Sequence, residues 1–257
     1  MKTGDSMKII DTHCHLYPSE MQNAEEIIKE CSDNNISVIL NGVDIASNNE
    51  ILELSKKYSN VYAAIGLNYD QIDAFTDNDL VLLEEQIKNN KIVALGEIGI
   101  DYYWTKENSE KQIYFFKKQL ELAEKYDLPV IVHAREASQE VFDIIKNSNV
   151  RKGSMHCYAG SIELAKEYIK LGFYIGIDGP ITYDNNRKGV ELVSNIPVEN
   201  LLIETDSPYL SPLRGQINTP LNLKYIAGKI SEIKNISIEE IYEITYNNAN
   251  KLFDLEG

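Results

Sequence analysis

Ile9-Ile10-Asp11-Thr12-His13-Cys14-His15 runs from two apolar residues into a His-x-His pair. On a β-strand, residues two apart share a face, so His13 and His15 project together while Cys14 points the other way. Two neutral imidazoles at one strand end form half of a metal site. So short a motif decides little alone. What matters is that the pattern, a short apolar run stopped by a polar donor, returns along the chain.

Strands are expected over residues 8–15, at Ile36-Ser37-Val38-Ile39-Leu40, over Val61–Leu67 and over Ile92–Ile100. Four more follow at Val130-Ile131-Val132-His133, Ser154-Met155-His156-Cys157, Phe173–Ile177 and Leu201–Asp206. These runs are too brief for helices and are rich in β-branched residues. Between them lie segments with apolar residues at helical spacing, such as Phe115, Phe116, Leu120 and Ala123 within residues 107–126. Two closing helices are expected near residues 221–233 and 237–253, the second opened by a Ser237/Glu240 capping box. The strands recur at intervals of roughly 25–35 residues, the span of one βα unit. Near-continuous apolar strands flanked by helices pair in parallel. Eight such units predict a TIM barrel, an α/β fold. An open doubly wound sheet competes, but no Gly-x-Gly-x-x-Gly follows the first strand. No linker or low-complexity tract divides residues 1–257, so one domain is expected, with residues 1–7 a disordered extension.

Composition sets the outer bounds. No apolar run approaches the roughly 20 residues needed to span a bilayer, and the N-terminus lacks a signal-type stretch. Three cysteines, an odd and widely spaced set, argue against a disulfide framework and for a reducing, cytoplasmic setting. Cys14, Cys157 and Cys31 are expected as small core residues. The net charge of −15 opposes general nucleic-acid binding, which draws on Lys- and Arg-rich faces. It leaves room for a nuclease whose bound cations supply the positive charge locally. A monomer is expected.

In a TIM barrel, chemistry gathers at the C-terminal strand ends. His13 and His15, Glu97, His133, His156 and Asp206 all fall there, and they include all 4 histidines of the chain. Six donors exceed one tetrahedral zinc and suit two divalent ions roughly 3.5–4 Å apart, with Glu97 as the bridging carboxylate. Such a pair lowers the pKa of a shared water, and Asp206 can take a proton from that water as general base. Hydrolysis is the reaction this arrangement serves. Mixed N/O ligation accommodates Mg²⁺, Mn²⁺ or Zn²⁺.

Four segments carry a resemblance. They are Asp11-Thr12-His13-Cys14-His15-Leu16, Gly96-Glu97-Ile98-Gly99-Ile100-Asp101-Tyr102, Pro129-Val130-Ile131-Val132-His133-Ala134-Arg135-Glu136 and Glu204-Thr205-Asp206-Ser207-Pro208-Tyr209-Leu210. Together they resemble TatD-type metal-dependent deoxyribonucleases of the amidohydrolase superfamily. The resemblance implies a TIM barrel and metal ligands at His13, His15, Glu97, His133, His156 and Asp206. It also implies phosphodiester hydrolysis of DNA from the 3′ end. Two departures stand out: Gly66-Leu67-Asn68-Tyr69 where the family has Gly-x-His-Pro, and Ala134-Arg135-Glu136 where it often has Ser-Arg-Asp. The first bears on substrate binding more than on metal binding. The alternative is a superfamily hydrolase of a small-molecule or tRNA-linked ester or amide.

Other residues near the predicted rim admit two readings each. Arg135 can grip a phosphate through its bidentate fork or pair with Glu136. Arg214, in a stretch similar to the family's Arg-Gly-x-x-Asn-x-Pro, can bind phosphate or support the Asp206 loop. Asp101 either orients a metal ligand from behind or is a plain loop carboxylate. Tyr102, Tyr103 and Trp104 can stack a base or cap the barrel.

Overall fold

A computed structural model describes residues 7–255. Apart from Met7, the expected N-terminal extension lies outside the described residues. Eight strands form one sheet in sequence order: β1 (Ile9–Cys14), β2 (Ile36–Asn41), β3 (Val61–Ile65), β4 (Ala94–Asp101), β5 (Val130–Arg135), β6 (Gly153–Met155), β7 (Phe173–Ile177) and β8 (Leu201–Ile203). Each neighbouring pair is parallel. The helices between them are α1 (Ala24–Asp33), α2 (Ile45–Lys57), α3 (Asp77–Asn89), α4 (Ser109–Lys125), α5 (Ser138–Asn147), α6 (Ile162–Lys170) and α7 (Arg187–Asn195). Two more close the chain, α8 (Leu223–Lys234) and α9 (Ile238–Phe253). The expected (β/α)8 barrel is the fold, and no described helix is long and apolar enough to cross a membrane.

The ring closes between the ends of β1 and β8. Asp206 N donates to His13 O at 2.9 Å, and His15 N donates to Ser207 O at 2.7 Å. These bonds lie beyond the last residue of β8, so the closure is made at the catalytic rim. The barrel interior is filled lower down by Ile10, Ile39, Ala64, Ile131 and Leu202, and α9 seals that end with Ala249, Leu252 and Phe253. On β2, interior Ile39 alternates with Val38 and Leu40, which belong to the larger cluster under the helices. The lower interior is therefore apolar and packed, and the polar donors are confined to the upper rim.

Among the strands that end short of their sequence pattern, β8 and β6 shape the rim. β8 stops at Ile203; Glu204 N still donates to Ile177 O at 3.1 Å, and backbone pairing gives way at Thr205. The Asp11 carboxylate accepts from Thr205 N at 3.0 Å and from the Thr205 hydroxyl, replacing strand pairing with side-chain bonds. β6 stops at Met155, which puts His156 and Cys157 on the following turn.

Candidate metal centre

Five strand ends bring the six predicted donors together. His13 and His15 come from the end of β1, Glu97 from β4 and His133 from β5, while His156 and Asp206 lie just past β6 and β8. The Nε2 atoms of His13 and His15 are 3.1 Å apart. Glu97 Oε2 lies 3.6 Å from His13 Nε2 and 3.3 Å from His15 Nε2. Its other oxygen, Oε1, lies 3.2 Å from His133 Nδ1. Asp206 Oδ1 is 3.5 Å from both His13 Nε2 and His15 Nε2, and 4.0 Å from His156 Nε2. The His156 ring stacks on His13 with centroids 3.5 Å apart.

Close strand approach makes this possible. Gly99 has φ +148°, and a β-carbon there would lie 2.0 Å from the His133 carbonyl oxygen. Only glycine fits, so β4 and β5 pack tightly where Glu97 meets His133. Gly176 does the same for β7, where a β-carbon would lie 2.5 Å from Glu204 Oε2.

Partners behind the imidazoles fix their tautomers. The Asn41 carbonyl lies 2.9 Å from His15 Nδ1. A carbonyl only accepts, so Nδ1 carries a proton and Nε2 is left to face the cluster. Glu204 Oε1 sits 2.9 Å from His156 Nδ1 and leaves that Nε2 inward too. His133 is turned over: Asp101 Oδ2 lies 3.0 Å from its Nε2, and Nδ1 faces Glu97. Asp101 therefore orients the His133 ring from behind. The Nδ1 of His13 is buried and has no hydrogen-bond partner among the described residues.

The electrostatics follow from burial and mutual charge. Burial alone would raise the Glu97 carboxyl, but hydrogen bonds with His133 and His15 and the charges of His13 and His156 hold it well below the usual range. Asp206 is likewise held low, chiefly by the charge of His156 and bonds with His13 and His15, against its burial. Burial would lower the imidazoles, yet Asp206 and Glu97 lift His15 to about 10. Glu204 and Asp206 lift His156 to about 10 against the same penalty. His13 moves down, because burial and the neighbouring His156 charge outweigh Asp206 and Glu97. The cluster thus keeps its carboxylates ionised and collects positive charge around them. A divalent cation meets the same demand.

The donor set fits that role. Two nitrogens bound to one tetrahedral zinc at about 2.05 Å lie about 3.3 Å apart, close to the separation of the His13 and His15 Nε2 atoms. Two overlapping groups can each hold an ion: His13, Glu97 and His156, and His13, His15 and Asp206.

All of the donors except His13 line a cavity of about 540 Å³, together with Tyr69, Asp70, Trp104, Arg135 and Tyr209. A larger surface groove of about 740 Å³ runs between α4 and α5, lined by Lys117, Glu121, Gln139 and Asp143, and contains none of these donors. Arg135 lies over the Tyr103 ring, with Cζ 3.6 Å from its centroid, rather than against Glu136. Arg214 is exposed on the loop after β8 and does not line the cavity. Asn68, where the family pattern has histidine, is buried at the cavity wall, and its Oδ1 accepts from Asp70 N at 2.9 Å. Next to it, the Tyr69 ring packs on His133 with centroids 4.5 Å apart.

Cys14 and Cys31 are buried as expected. Cys157 is a correction, because it is only half buried and lines the cavity. Strand alternation does not govern it, since β6 has already ended and Cys157 turns at φ +45°. Sequence reasoning missed Asp11, Glu204 and the Asn41 carbonyl. Two of these had a signal: Asp11 and Glu204 are carboxylates inside or next to strands whose neighbours are otherwise apolar, and a buried charge there needs a partner.

Parallel barrel, rim-borne histidines and paired carboxylates define a metal-dependent hydrolase acting on ester bonds. The chain belongs to the TatD family: the model described as "TatD related DNase" matches residues 10–254. It is 38% identical over 252 residues to the uncharacterized metal-dependent hydrolase YabD of Bacillus subtilis, covering 95% of this chain and 98% of that one. The crystal structure of the TatD homolog YjjV from Escherichia coli superposes with a TM-score of 0.89 at 30% identity, covering 96% of this chain and 98% of that one. A TatD-family hydrolase from Entamoeba histolytica shares the fold at 23% identity, with a TM-score of 0.84 over 97% of this chain and 99% of that one.

Proposed function

We propose that this protein hydrolyses phosphodiester bonds in DNA, removing nucleotides from the 3′ end, with two divalent cations held by His13, His15, Glu97, His133, His156 and Asp206. The observation that carries the reading is the two-sided Glu97 carboxylate, with Oε2 toward His13 and His15 and Oε1 toward His133. That placement sets one carboxylate between histidines on two sides. Cations held by these residues would supply an activated water and offset charge growing on the attacked phosphate. Asp206, kept ionised among the histidines, accepts the proton of the attacking water. Arg135 faces the same cavity and offers two parallel donors to a phosphate. Arg214 has the chemistry for a second phosphate contact, on strand lying beyond the rim.

A second reading, an ester or amide of a small molecule or of tRNA, draws on Asp70 and Glu20. Both line the mouth and would repel a polyanion.

The test incubates the protein with 3′-labelled and 5′-labelled single-stranded DNA in Mg²⁺, Mn²⁺, Zn²⁺ or EDTA, beside Glu97→Ala. Metal-dependent loss of 3′ nucleotides, absent in EDTA and in the variant, is expected. DNA left intact by metal-loaded protein would reject the nuclease reading in favour of esters and amides.

A further inference from the structure

Trp104 is 70% exposed and Tyr103 50% exposed, although both sit on the β4–α4 loop directly after Asp101, the partner of His133. Aromatics that cap a barrel bury their faces, and these do not. Nor is their loop loosely held. Asp101 Oδ1 accepts from Tyr103 N at 2.8 Å, and Tyr102 N donates to Arg135 O at 2.9 Å. Gln112 clasps the Asp101 backbone from both sides, accepting from its N at 2.8 Å and donating to its O at 3.0 Å. The loop is therefore pinned to the side chain that orients His133.

Trp104 and Arg135 line the same cavity as Glu97, His133 and Asp206, and Arg135 is the one Lys or Arg in that lining. Its guanidinium lies 3.6 Å over the Tyr103 ring and 5.8 Å from the Trp104 ring centroid. Tyr103 and Trp104 meet edge to face, with centroids 4.9 Å apart. The result is a preassembled cluster, one cation over the Tyr103 face with the Trp104 ring set edge to face beside it and the indole left open to solvent.

We infer that Trp104 is a stacking platform for the base next to the scissile phosphate, and that Tyr103 positions Arg135 beside it. This rests on the DNA reading above. The charge balance favours it. A chain of net charge −15 has little cationic surface with which to track a phosphate backbone, whereas stacking needs no charge and accepts every base. A base on Trp104 keeps its adjoining phosphate in the cavity that Arg135, Glu97, His133 and Asp206 share.

The test compares wild type, Trp104→Ala, Trp104→Phe and the remote exposed-aromatic control Tyr225→Ala on metal-loaded protein. Substrates are single-stranded oligonucleotides, intact or abasic at the terminal nucleotides. Stacking predicts that Trp104→Ala raises KM about tenfold with kcat within about twofold, and that Trp104→Phe restores most of the loss. Abasic ends should raise the KM of wild type but not that of Trp104→Ala. Trp104 is the only tryptophan in the chain, so its fluorescence should also be quenched on adding the oligonucleotide in EDTA. Active enzyme whose KM ignores both the variant and the missing base would overturn the platform alone. Absence of DNA cleavage by wild type with every metal would overturn the nuclease reading, and the platform with it.

Discussion

Glu204 is fully buried and lies behind the cavity lining rather than in it. Its Oε1 accepts from Cys157 N at 2.6 Å and holds His156 Nδ1. Glu204→Gln keeps an acceptor of the same shape and loses the charge, so it should weaken metal binding about tenfold, the usual scale for a group supporting a ligand. Titration of chelator-treated protein with Mn²⁺ reads this directly, and activity at saturating metal should largely recover. An unchanged Mn²⁺ affinity would mean that Glu204 merely packs. Gly99 has a different role. Alanine there meets the His133 carbonyl and a left-handed φ together, so Gly99→Ala should cost about 3 kcal/mol in urea unfolding. The histidines were legible because each ends an apolar run. Asp11 and Glu204 were legible only as carboxylates in need of partners; the partners themselves, Thr205 and His156, were not, lying 194 and 48 residues away in the chain.

The same contrast holds for whole elements. Eight apolar runs and their helices were readable because burial on both faces leaves little freedom in composition. Ends were harder wherever side chains took over from the backbone. α2 begins at Ile45 because Asp44 and Ser47 form a capping box. Ser47 Oγ accepts from Val43 N and Asp44 N, each at 3.0 Å, and Ser47 is buried. Ser47→Ala would strand both amides and should destabilise the protein by about 1.5 kcal/mol. The urea midpoint should fall with its slope unchanged. A shift below measurement error would show that water reaches those amides and that the box is ornamental. β8 makes the converse point. Its sequence reads as six strand residues, but Thr205 N bonds the Asp11 side chain instead of a neighbouring backbone carbonyl, and Asp206 then turns toward the histidines at φ +55°.

At the scale of the molecule, the acidic surface and the nuclease reading make a joint demand. Phosphate contacts by Lys and Arg release counterions, and each contributes about 0.7 to the slope of log affinity against log salt for single strands. The cavity lining contains Arg135, and Arg214 lies on the loop beyond it. One or two contacts predict a slope of log kcat/KM against log salt between about −0.7 and −1.4 at saturating divalent metal. Arg135→Ala should flatten the slope by about 0.7 and weaken binding evenly across sequences. A wild-type slope steeper than about −4 would require a basic track that the net charge of −15 and the single cavity arginine do not provide. A shallow slope has its own consequence. Affinity must then come from the cations at the rim and from contacts without charge, so the protein should keep most of its activity at salt concentrations that release a basic DNA-binding protein.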